Sequence, residues 1–238
     1  ELMVDDSLFL YHDVCTNGIG YVDLMFKTDS IAPEQIPYLG LLKSVLGYVD
    51  TENYTYGELF NEINANTGGI NCGVEVFDRA DSTEEFQAMF SVRGKALYTK
   101  MDFLFKMIGE ILNSSKLEDT KRLYEIVASV KSRAQVNLTG AGHSTAVLRA
   151  AAYSSPMAAF QDEMAGIGYY QFIEKLEKDF EQRKEETVEE LCKLMKKILR
   201  PENFMISYTG ERESLETVQK LAGAVKAGLG TEPVEKSE

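Results

Sequence analysis

Histidine is almost missing from this chain, and its scarcity narrows the chemistry at once. Only His12 and His143 occur in 238 residues. His12 lies three residues before Cys15 on an expected strand, and odd spacing on a strand sends two side chains to opposite faces, which is poor metal geometry. His143 follows Gly142 at an expected helix start, where with Ser144 it would satisfy backbone donors. Cysteine is also sparse: Cys15, Cys72 and Cys192 lie far apart, with no C-x-x-C spacing. An odd, scattered set reads as reduced thiols in a cytosol-like compartment. No apolar run approaches the ~18 residues needed to span a bilayer. The opening Glu-Leu-Met-Val-Asp-Asp has neither the basic region nor the cleavage site of a secretory signal. A cytoplasmic setting without a membrane partner is the expectation, and the glycosylation sequons at Asn53, Asn113 and Asn137 then read as chance matches.

Positive charge is short as well. Lysine and arginine number 25 against 38 acids, for a net charge of −13. A general nucleic-acid binder needs a basic face to displace phosphate counterions, so that class is excluded. Catalytic signatures are missing too. Gly140-Ala-Gly-His-Ser matches neither G-x-G-x-x-G nor the lysine-bearing phosphate loop, and it follows a helix rather than a strand. There is no G-x-S-x-G elbow and no cysteine with a histidine at family-like spacing. The pairs Glu84-Glu85, Glu185-Glu186 and Glu189-Glu190 read as solvated faces.

What the chain does have is apolar residues, 44% of the total, ample for a core, and clear punctuation. Its best-marked stretch is Pro33–Val76. Ile36, Leu39, Leu42, Val45 and Leu46 recur at helical spacing, and Pro33 suits a first helical turn. Thr55-Tyr-Gly-Glu58 reads as a capping box opening a second helix. Gly68-Gly69 ends that helix, and Ile70–Phe77 alternates as a strand. Upstream, Leu8–Val14 and Ile19–Thr28 read as a hairpin turning at Thr16-Asn17-Gly18. Downstream, Asp78–Thr83 is an expected polar loop and Phe86–Gly94 a strand. Helices are predicted over Lys100–Leu112, Thr120–Leu138 and from His143-Ser144 to Tyr153, followed by a turn begun at Pro156. The charged segment Gly168–Leu199, if continuous, would be a rod of about 45 Å. A last strand at Phe204–Tyr208 must rejoin the sheet, and a helix over Ser214–Ala227 precedes a frayed tail, 228–238. Strands, a helical middle, then strand and helix predict α+β: one mainly antiparallel sheet with helices on one face, in one domain over 1–238.

Two segments are more specific than any single motif. The first is Thr16-Asn-Gly-Ile-Gly-Tyr21 with the helix–turn–capped helix ending Thr67-Gly-Gly-Ile70. The second is Gly142-His-Ser-Thr-Ala-Val-Leu-Arg-Ala-Ala-Ala-Tyr-Ser-Ser-Pro156 with Gly168-Tyr-Tyr-Gln-Phe-Ile-Glu-Lys-Leu176. In this order, over about Leu8–Tyr208, they resemble the third, peptidase-associated domain of presequence-protease- and falcilysin-like metallopeptidases of the insulinase superfamily.

That resemblance implies an insulinase/mitochondrial-processing-peptidase-like metallohydrolase fold. Members look like clamshells of four related units, the first carrying zinc on H-x-x-E-H, whose own glutamate is the general base. The corresponding helix here, Ile-Pro-Tyr-Leu-Gly-Leu-Leu-Lys-Ser-Val (36–45), has no histidine and no glutamate, so the usual three protein ligands cannot be assembled on it. The resemblance therefore implies a non-catalytic domain, cut from a longer zinc endopeptidase that degrades unstructured peptides, with no metal or catalytic residue of its own. Zinc would belong to the catalytic domain of the parent. The N-terminal catalytic half and a following homologous domain would be its partners, and its role would be chamber wall. The basic, tyrosine-bearing sites for the substrate's end belong to the family's fourth unit and carry over to no position here. An acidic wall would favour basic peptides, and the strand opening Gly69-Ile70-Asn71 would accept a peptide as an added strand. The alternatives are a stand-alone inactive homologue serving a separate catalytic subunit, and an unrelated enzyme using His143 with a nearby carboxylate.

Overall fold

The computed structural model describes residues 2–78, 82 and 85–231. Its strands are β1 (Leu2–Val4), β2 (Ser7–Asp13), β3 (Ile19–Lys27), β4 (Ile70–Asp78), β5 (Phe86–Leu97) and β6 (Phe204–Gly210). Its helices are α1 (Ile36–Val45), α2 (Tyr56–Asn66), α3 (Met101–Ser114), α4 (Thr120–Gly140), α5 (Gly142–Ala151), α6 (Pro156–Ala165), α7 (Ile167–Lys178), α8 (Phe180–Ile198) and α9 (Leu215–Ala227). The six strands form one sheet in the order β1-β2-β6-β3-β5-β4. Among the described residues, only the β2–β6 pair is parallel. The fold is α+β, as the element order predicts.

The expected hairpin is not one. Asn17 and Gly18 do turn the chain, with φ of 52° and 82°, but β6 lies between the two strands and pairs with both. The five-residue link 14–18 is long enough to bridge the gap of two strand spacings, about 10 Å. Val14 N donates to Gly210 O as the link passes over the end of β6. Phe204, Ile206 and Tyr208 alternate inward along β6, and a strand whose apolar face is that fully buried belongs in the middle of a sheet.

The long charged rod is also broken. Asp179 leaves helical geometry (φ −102°, ψ 17°) and separates α7 from α8. The break lets Ile173 and Leu176 on one side, and Phe180, Leu191 and Leu194 on the other, all enter the core. A straight rod would lift one set out of contact. His143 and Ser144 do not cap α5, whose N-cap is Ala141, without a side-chain bond. The Thr55–Glu58 punctuation stands as expected, closing the capping box of α2; in addition, the Asp119 side chain caps α4 by accepting from Arg122 N.

α3 packs on β5, α1 on β4, and α9 on β6 and β1, while α4, α6, α7 and α8 close around α1 and α5 lies against α4 and α6. Glu186 and Glu190, expected to be merely solvated, tie α8 to the start of α1. Tyr38 Oη donates to Glu186 at 3.2 Å and Gln35 Nε2 to Glu190 at 3.0 Å. Of the expected tail, Gly228 closes α9 and Leu229 is buried in the core; 232–238 lie outside the described residues. So do 79–81 and 83–84, which hold most of the expected polar loop and Glu84.

Candidate functional site

α1 is the hub. Pro37, Tyr38, Leu39, Gly40, Leu41, Leu42 and Val45 are all buried, so this helix is apolar nearly all round, as a helix enclosed by protein must be. Each of the leucines contributes about 2 kcal/mol by leaving water. A Cβ on Gly40 would stand 2.7 Å from Met164 O and from Tyr169 Cε2, so α1 approaches α6 and α7 closely only because the side chain is missing. These residues do not fit a zinc ion: aliphatic groups, a glycine and a lysine stand where imidazoles and a carboxylate would be required. Among the described residues, no group of three or more His, Cys, Asp or Glu side chains could hold a metal.

The chain leaves α2 through Thr67, whose hydroxyl donates to Ile63 O at 2.7 Å and accepts from Gly69 N at 3.0 Å. Gly68 N donates to Lys95 O at 2.7 Å, and a Cβ there would strike the Lys95 stem at 2.6 Å. Gly69, at φ +106°, occupies a conformation that glycine adopts without steric cost. Together they deliver β4 to the margin of the sheet, where among the described residues it pairs with β5 alone. Its other edge borders a groove of about 590 Å³ whose lining includes Lys43, Phe60, Ile70, Cys72 and Arg133. Burial with no compensating partner pulls the Lys43 ammonium below its ordinary value, because a low-dielectric setting disfavours charge. Burial pushes the Cys72 thiol up to about 12, so it is not a nucleophile near neutral pH.

A second hollow, about 470 Å³, lies on the sheet face opposite the helices and includes Tyr21, Asp23, Asn71, Arg93, Ser207 and Thr209. Arg93 bridges three strands, 2.7 Å from Asp23 and 3.1 Å from Glu75. Burial raises the Asp23 carboxyl, partly offset by Arg93. Gly69 and Asn71 line both hollows, whereas Ile70 lines only the groove. The three residues singled out from sequence thus form the rim between groove and open face. Lys43, Asp23, Arg93 and Arg133 are not marked by any motif in the sequence. Lys43 has a readable signal, as the lone charge in an apolar helix; Arg133 has none. His143 is exposed on α5, which buries no residue, and His12 is exposed on β2. Neither imidazole has a hydrogen bond or ion pair among the described residues.

The second recognisable segment is held by one carboxylate. Asp162, 1% exposed, accepts from Ile167 N at 3.0 Å, Gly168 N at 3.1 Å and Arg149 Nη1 at 2.6 Å. A Cβ on Gly166 would collide with the same carboxylate. Arginine, aspartate and glycine pin α5, α6 and the start of α7 as one unit. This is architecture rather than chemistry.

An open sheet with helices on one face, a hub helix without metal ligands and, among the described residues, a free edge strand make a peptidase-like unit with no metal motif on α1. A family model for the associated domain of the peptidase M16 family, subfamily C, matches residues 1–176. The chain belongs to this family of peptidase-associated domains of the insulinase superfamily. It is 32% identical to "Protein HypA" of Clostridium perfringens over 238 residues, all of this chain and 24% of that protein. It is 28% identical to "Presequence protease, mitochondrial" of Yarrowia lipolytica, across 87% of this chain and 21% of that one. The chain therefore spans about a fifth to a quarter of the length of these curated relatives. Among solved structures, a peptidase M16 inactive domain from Pseudomonas fluorescens matches 99% of this chain and 52% of its own, with TM-score 0.62 and 15% identity. A conserved protein from Enterococcus faecalis matches with TM-score 0.62 and 11% identity over 91% of this chain and 49% of its own. These two likenesses bear on fold alone.

Proposed function

We propose that this chain is a non-catalytic unit of a zinc metalloendopeptidase that degrades unstructured peptides, and that it forms part of the wall of the closed peptide chamber. The observation that carries the reading is the state of α1. By the family likeness it would correspond to the zinc helix of a catalytic unit, yet it is enclosed by close packing around Gly40, with no ligand side chain on it. Zinc would be held by the catalytic domain of the parent, with that N-terminal half and a following homologous domain as partners. The open sheet face carrying Tyr21, Asp23, Arg93, Ser207 and Thr209 would line the chamber, and β4 from Gly69 to Asn71 would accept an extended peptide by strand addition. A cytosol-like compartment is consistent with three free thiols. Among the described residues, no helix is long and apolar enough to cross a membrane.

The test is elemental analysis of the purified chain after equilibration with equimolar zinc, together with incubation with unstructured peptides. The expected result is no stoichiometric zinc and no cleavage. One tightly held zinc per chain would sink the reading. A separate inactive subunit of the same architecture is the second reading, supported by the same α1, and a reading frame that carries H-x-x-E-H upstream of this segment would decide against it.

A further inference from the structure

The groove beside β4 has a charge pattern that the rest of the molecule does not lead one to expect. The chain carries 38 acids against 25 bases, and some of its cations are matched: Arg93, Arg122, Lys131, Arg149, Arg183, Lys184 and Lys193 reach carboxylates within 3.2 Å. Lys43 and Arg133, which enter the groove from α1 and α4, have neither an ion pair nor a hydrogen bond among the described residues. The one acid lining the groove among the described residues, Glu75, is already held by Arg93 at 3.1 Å. Lys43 rises from a helix buried on almost every other side, and a half-buried charge without a counter-ion is costly to keep. Opposite these cations runs the edge of β4, whose backbone groups on that side have no strand partner among the described residues.

We propose that the groove binds an extended peptide segment carrying a carboxylate, the backbone pairing with β4 and the carboxylate seated against Lys43 and Arg133. The inference rests on the strand-addition reading given above and adds a chemical preference to it. The carboxylate comes from an acidic side chain or from the peptide's own C-terminus, two sources with one chemistry. Far from the surface, the net charge of −13 attracts basic peptides; at the groove, two unmatched cations choose the stretch of that peptide that bears an anion. A peptide of mixed charge satisfies both fields, the first through encounter and the second through register.

The probes are three fluorescein-labelled, unstructured peptides of twelve residues built from serine, threonine and valine. One has a central glutamate and an amidated end, one has glutamine there with an amidated end, and one has glutamine with a free C-terminus. Fluorescence anisotropy with the full chain reads the affinities, and hydrogen exchange reads the amides of β4. The glutamate peptide, the free-end peptide or both should bind about ten-fold tighter than the amidated glutamine peptide, or about 1.4 kcal/mol; whichever gains identifies the source. Lys43→Met and Arg133→Ala should each shrink that advantage to about two-fold or less without weakening the amidated glutamine peptide. Arg133 is exposed, so its variant tests the anchor without risk to the core. Equal binding of all three peptides with protected β4 amides overturns the anchor and leaves strand addition standing, as does an advantage that survives both substitutions. No binding, or binding without protection of β4, overturns strand addition and the anchor with it.

Discussion

Gly40 is the residue on which the packing of the hub helix turns. In a helix, alanine in place of glycine normally gains stability through backbone entropy. Here the added methyl would meet a backbone oxygen and a buried ring at 2.7 Å each, and a backbone atom cannot swing aside. Gly40→Ala should cost about 1–3 kcal/mol, read as a lower urea midpoint with an unchanged m-value. A stability equal to wild type would mean that α1 and α6 are not packed this closely. Nothing in the sequence betrays that contact, because the partners, Met164 and Tyr169, lie more than a hundred positions away. Lys43 is the opposite case. A lone ammonium among Leu39, Leu41, Leu42 and Val45 is conspicuous in the sequence, but only the structure shows that no carboxylate of the described residues comes to meet it.

Elements whose limits depend on local chemistry are legible in the sequence. The Thr55–Glu58 box, the Asp119 cap and the Gly68-Gly69 exit are short-range bonds between near neighbours, and near neighbours are what a sequence displays. Long-range relations are not legible. The turn at Asn17-Gly18 can be read from its residues, yet the strands it joins are kept apart by β6, which arrives nearly two hundred residues later. The split between α7 and α8 is set by which side chains can reach α1, not by a glycine or proline. Asp162 works between these limits: its partners Ile167 and Gly168 are local, and Arg149 is thirteen residues back. Asp162→Ala removes one acceptor from three donors and leaves the guanidinium partly buried and unpaired. The expected loss is about 3 kcal/mol, with protection against hydrogen exchange lost first over 142–168. Loss spread evenly over the chain would show that the three helices do not depend on this carboxylate.

At the scale of the molecule, the fold class and the missing metal motif are both readable, because each rests on composition and order along the chain. The rim formed by Gly69 and Asn71 is readable only as a glycine pair before a strand. Its meaning comes from the sheet order, which puts β4 at the margin with a groove on one side and the open face on the other. In the function proposed above, this margin belongs to a wall that receives extended peptide without cutting it. One mass-spectrometric measurement bears on both halves of that statement: the chain is incubated with an unstructured peptide of mixed charge, exchanged into deuterated buffer and digested. The predicted result is a peptide of unchanged mass and slowed exchange in the β4 amides, Ile70–Val76, with the β2 amides unaffected. Peptide cleaved by the chain, or β4 exchanging as fast with peptide as without it, would contradict the proposal.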